Sequence, residues 1–121
     1  MNNITINGYV RKKTQYLKND KTDKYEFKFY VNCYNPLLQK NQVLPCKCEG
    51  WLADECYTNF SEGCYVEVNG SFAMADNNRG YIMANSILYK KPKSRRQFYI
   101  SSKDFLQYYN PSDVLERVKK K

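Results

Sequence analysis

Alternation of apolar and polar positions with a period of two runs through most of residues 3–89. Over residues 3–11, Ile4, Ile6, Gly8 and Val10 fall on one face and Thr5, Asn7, Tyr9 and Arg11 on the other, the pattern of a half-buried strand. Gly8 inside that strand points to a bend or a close backbone approach. Residues 12–23 lose the period and collect Lys, Asn and Asp, which predicts a turn. Alternation resumes over residues 24–34, with Tyr25, Phe27, Phe29, Val31 and Cys33 on a core face and Glu26, Lys28, Tyr30, Asn32 and Tyr34 on a solvent face. Asn35-Pro36 ends this strand, because proline restricts the residue before it and donates no hydrogen bond. Residues 37–45 read as a long polar connection, a hairpin arm that could close over a ligand.

A short third strand is predicted over residues 46–51, where Cys46, Cys48 and Gly50 alternate with Lys47, Glu49 and Trp51. The period then changes to that of a helix. Leu52, Cys56 and Phe60 fall four apart, Asp54 and Glu55 sit near the favoured N-terminus, and Gly63 follows the end. Residues 64–72 predict a fourth strand with Cys64, Val66, Val68, Gly70 and Phe72 inward, and Asp76-Asn77-Asn78-Arg79-Gly80 predicts a turn. The fifth strand, residues 81–89, slips phase between Ala84 and Ile87. A bulge near Asn85 and Ser86 returns Ile82, Ala84, Ile87 and Tyr89 to one side.

Three strands, a helix and two strands is the order of a mainly β, five-stranded OB barrel with its helix between strands 3 and 4. A small open α+β sheet has the same elements, and periodicity does not separate the two. We assign residues 1–90 to the domain and residues 91–121 to a basic linker and C-terminal extension, with short helical pieces over residues 102–107 and 111–119. No stretch approaches the roughly 20 apolar residues of a membrane span, and the N-terminus has no secretory pattern, so a cytoplasmic setting is expected.

Composition narrows the function. Lys+Arg 20 against Asp+Glu 12 leaves a net charge of +8, which favours a polyanionic partner. The 12 Tyr, 6 Phe and 1 Trp supply flat faces beside those cations, the mixture that single-stranded nucleic-acid binders use. With five cysteines, no Cys-x-x-Cys pair and no histidine, we expect reduced, buried thiols and neither metal nor cofactor. Without a phosphate loop, a nucleophile motif or a recognisable carboxylate site, the chain does not read as an enzyme.

Four segments resemble, in order and spacing, the bacterial and phage single-stranded DNA-binding proteins: residues 3–10 with Gly8, residues 27–32, residues 50–54 leading to 63–70, and residues 84–89. The likeness spans about residues 2–90. It implies an OB fold, base stacking on aromatics, Lys and Arg on phosphates, and assembly into dimers or tetramers. Matched by position, Lys28, Tyr30, Lys47 and Trp51 look like the binding face, although Glu49 stands where that family often has an aromatic. The basic end, Val118-Lys119-Lys120-Lys121, departs from that family's usual acidic tail and favours a phage or plasmid protein, or a primosome-type one.

The resulting expectation is non-sequence-specific binding of single-stranded DNA across Tyr9, Lys28, Tyr30, Tyr34 and Trp51. Arg11, Lys12, Lys13 and Lys47 would take phosphates, and Arg79 and Tyr81 would reach in from the last hairpin. Trp51 could instead plug the core, and Tyr9 could lie at a subunit interface if the first strand is an edge. Two other readings are open: an interaction module that recruits a helicase or primase, and a single-stranded RNA binder.

Overall fold

The computed structural model describes residues 3–101; the helical pieces expected over residues 102–107 and 111–119 lie outside the described residues. The elements are β1 (Ile4–Asn19), β2 (Lys24–Asn35), β3 (Lys40–Glu49), α1 (Trp51–Asn59), β4 (Tyr65–Met74), β5 (Gly80–Lys90) and β6 (Gln97–Ser101). They form one sheet in the order β3-β2-β1-β4-β5-β6. A parallel junction of β3 with β5, pairing Cys46 with Ile82 and Lys47 with Met83, closes the first five strands into a barrel. The expected OB order is the one observed, with α1 between β3 and β4, and the open α+β sheet is excluded.

Two sequence expectations fail for one reason, that the backbone stays extended where the side-chain pattern is lost. β1 continues through the predicted turn to Asn19, and its register against β2 slips between Val10 and Lys12 and again between Lys13 and Gln15. Each slip inserts an unpaired residue and inverts the phase, which erases the alternation. The turn shrinks to residues 20–23, where Asn19 Oδ1 accepts the Lys21 N–H at 2.8 Å. β3 likewise begins at Lys40 rather than Cys46 and pairs with β2 from Asn35 opposite Lys40 to Glu26 opposite Glu49. The polar connection is therefore mainly strand, exposed or half-buried over residues 40–43, so neither face is apolar.

Phe27, Phe29, Val31, Cys46, Cys48, Val66, Val68 and Ile87 point into the barrel and are fully buried. Helix α1 adds Leu52, Ala53 and Cys56, and Phe60 follows it to close one end, its ring edge-on to Phe29 at 5.3 Å and to Tyr89 at 5.4 Å. All five cysteines are buried and free. At Gly8 a Cβ would fall 2.1 Å from the Asn32 carbonyl oxygen, which is the close approach its sequence position implied. The bulge expected on β5 is present: Asn69 pairs with Ser86 and Gly70 with Ala84, leaving Asn85 unpaired and exposed.

Tyr25 and Phe72, read as core, are exposed: Tyr25 stacks on Tyr16 instead, and Phe72 lies over Gly80. Beyond the predicted strands, β6 pairs antiparallel with β5 from Lys90 opposite Gln97 to Ser86 opposite Ser101, and Phe98 stacks on Tyr89 at 5.2 Å. Among the described residues no helix is long and apolar enough to cross a membrane, and no three metal-ligating side chains cluster.

Candidate nucleic-acid interface

The outer face of β2 and β3 carries like charges in register. Lys28 lies directly opposite Lys47, and Tyr30 lies opposite Pro45. Such a lysine pair is unfavourable, and Glu26 relieves part of it with a carboxylate oxygen 3.1 Å from Lys47 Nζ. Burial works to raise the Glu26 carboxyl, but the hydrogen bond from Asn19 and the Lys47 ammonium outweigh it and hold the group below its ordinary value. Lys47 Nζ also stands 5.2 Å from the centre of the Tyr81 ring on β5, a cation–π contact across the barrel junction.

The β4–β5 turn brings the third cation. Asn77 Oδ1 accepts the Arg79 N–H at 3.1 Å, the Ala75 N–H donates to the Arg79 carbonyl at 2.9 Å, and Asn78 takes a left-handed φ of 63° that its short amide tolerates. Lys28, Tyr30, Lys47, Arg79 and Tyr81 thereby line one cleft of about 250 Å³, with no carboxylate in its lining. This arrangement offers rings for stacking and cations for phosphates on one open surface.

The other expected site residues surround the cleft unevenly. Tyr34, the next residue after Asn32 on the same face of β2, lines a wider groove of about 610 Å³ with Tyr9 and Tyr65. Tyr9 meets Tyr65 edge-to-face at 5.4 Å. β1 pairs with β4 over Ile4–Tyr9 and with β2 over Tyr9–Asn19, so Tyr9 sits where the two ladders meet and residues 4–8 have a ladder partner on the β4 side alone. Arg11 is exposed at the first bulge, and exposed Lys12 pairs with Tyr30.

Lys13 faces elsewhere: its Nζ donates to the Tyr57 carbonyl at 3.0 Å and lies 5.3 Å from that ring's centre. Trp51 is 37% exposed, which overturns the core-plug reading. It occupies a neighbouring recess of about 380 Å³ with Lys24, Glu49 and Met83, and the structure does not bring it into the Lys28–Lys47 cleft.

A second aromatic group went unread in the sequence. Tyr16 is sandwiched between Tyr25 at 4.8 Å and Tyr57 at 4.2 Å, nearly parallel to both, and its hydroxyl donates to Asp54. These rings use their faces on each other and tie the β1–β2 hairpin to α1, a structural role. No periodic signal could find Tyr16, because it follows both bulges.

No sequence family and no curated protein matches the chain. Solved structures do. The SSB domain of a Synechococcus sp. protein superposes with a TM-score of 0.62 at 13% identity, covering 72% of this chain and 93% of that one. The second single-stranded DNA-binding protein of Mycobacterium smegmatis gives 0.61 at 19% identity, covering 71% and 85%. The N-terminal domain of PriB from Thermoanaerobacter tencongensis, described as dimeric, gives 0.59 at 16% identity, covering 74% and 96%. The chain thus has the OB fold of single-stranded DNA-binding domains, with a cationic, tyrosine-lined cleft across β2, β3 and β5.

Proposed function

We propose that this protein binds single-stranded DNA without sequence preference and performs no chemistry on it, a role suited to replication or recombination. Lys28, Lys47 and Arg79 hold phosphates; Tyr30 and Tyr81 stack bases; Tyr34 and Tyr9 continue the path, with Arg11 and Lys12 at its border. The observation that carries this reading is the pairing of Lys28 directly opposite Lys47. Two like charges held side by side are stabilised by an anion between them, and two tyrosines beside them specify a ligand that also has flat faces.

Anisotropy of labelled oligo-dT tests it, against duplex of equal length and at several salt concentrations. Tight binding of the single strand, weak binding of duplex and a steep decline with salt are expected. Equal affinity for duplex, or indifference to salt, would refute the reading. Oligo-U in the same assay decides whether RNA is bound equally well. Association into dimers or tetramers belongs to the same proposal, supported by the dimeric PriB neighbour.

A second reading, docking to a protein partner, draws support from the tip of the β2–β3 arm, where Leu37 is 92% exposed and Leu38 54%. Replacing both by Ser without loss of oligonucleotide affinity, together with loss of helicase or primase capture, would favour it.

A further inference from the structure

One lateral row of outward residues crosses the sheet in register. Asn32 of β2 pairs with Tyr9 of β1, Tyr9 with Tyr65 of β4, Tyr65 with Lys90 of β5, and Lys90 with Gln97 of β6. Paired residues of an antiparallel sheet project to the same side, and the 5.4 Å contact of the Tyr9 and Tyr65 rings shows it directly. The row ends in a pocket of about 450 Å³ lined by both tyrosines and by Lys90, Lys91 and Lys93, with no carboxylate in its lining. Arg95 and Arg96 follow, exposed, in the same connection to β6. Tyr9 and Tyr65 line both this pocket and the groove that holds Tyr34, so the two adjoin across that ring pair.

We infer that Tyr65, Lys90, Lys91 and Lys93 form a second binding segment, which takes the continuation of a strand already seated on β2 and β3. This deepens the proposed function and rests on it. The segment has the same two ingredients as the cleft, rings and clustered lysines, and charge complementarity selects a nucleic-acid backbone over a neutral protein surface. The turn from the length of β2 to a path across β1 and β4 makes the occupied site longer than the cleft. The cleft alone serves short oligonucleotides, and both segments are filled only by long ones.

The test pairs oligo-dT of about 6 and about 16 nucleotides, within the span one OB fold takes, with the variants Lys91→Gln/Lys93→Gln and Lys28→Gln. Lys91 and Lys93 are exposed in the β5–β6 connection, so neutralising them leaves the core untouched. Lys91→Gln/Lys93→Gln should weaken binding of the longer oligonucleotide about tenfold, lower its salt slope by about 1.4, and leave the shorter one unchanged. Lys28→Gln should weaken both. Tyr65→Ala, at the border of both segments, should weaken the longer oligonucleotide more than the shorter one. Equal losses at both lengths, or none, would overturn the inference while the proposed function stands. A change of particle mass on Tyr65→Ala would also overturn it, by showing that a second copy occupies this face. If the unaltered protein binds neither length at low salt, the proposed function itself falls.

Discussion

Tyr30 and Gly70 show how differently single residues matter in this barrel. Tyr30 stands half-buried on the outer face of β2, its neighbours across the sheet being Lys12 and Pro45. Tyr30→Ala should remove one stacking platform, about 1–3 kcal/mol of single-strand affinity, with little change in melting temperature. Titration with oligo-dT alongside a thermal scan checks both halves. Gly70 contributes only an absence: a Cβ there would fall 2.1 Å from the Met83 carbonyl oxygen, on backbone that cannot swing aside. Gly70→Ala should cost about 1–3 kcal/mol of stability, measured by urea unfolding, without altering affinity per folded molecule.

At the scale of elements, legibility followed coverage. β2 and β4 alternate cleanly because one face of each is sealed in the core, and the β5 bulge was readable because Ile87 and Tyr89 have to return inward past Asn85. The far half of β1 and the β2–β3 arm were unreadable because bulges or double exposure removed the apolar phase while hydrogen bonding persisted. β6 was hidden by the basic run before it. Of the expected site, the pattern gave Lys28, Tyr30 and Lys47 directly, since outward phase is a local property. Their meeting with Arg79 and Tyr81 depends on barrel closure, a property of topology.

Tyr16 makes a prediction at this same scale, because it ties the β1–β2 hairpin to α1. Its hydrogen bond to Asp54, then burial, then the Asp54 charge push its phenol up from 10.0 to about 12. The fold favours the protonated phenol, so this stabilisation is complete below pH 10 and is lost as pH rises through about 12. Tyr16→Phe should cost roughly 1 kcal/mol or less at neutral pH and make the alkaline decline in stability shallower, which denaturant melts at several pH values would show.

For the molecule as a whole, the core is unusual in spending five positions on cysteine, all of them buried. Burial pushes the thiols of Cys33, Cys46 and Cys56 up, away from the reactive thiolate. A thiol reagent at neutral pH should therefore label the folded protein slowly and all five sites at once upon denaturation, whereas rapid labelling of one site in the native protein would contradict the packing described.

The parallel pairing of Cys46 with Ile82 and Lys47 with Met83 has a consequence for dynamics. So short a clasp is the natural place for the cylinder to breathe, since few hydrogen bonds have to break for β3 and β5 to part. A ligand gripped by Lys28 and Lys47 on one lip and by Arg79 and Tyr81 on the other would act as a bolt through that clasp. Amide hydrogens of Lys47 and Met83 should then exchange more slowly with oligo-dT bound, while those of Val66 and Val68, deep in the β1–β4 ladder, change little.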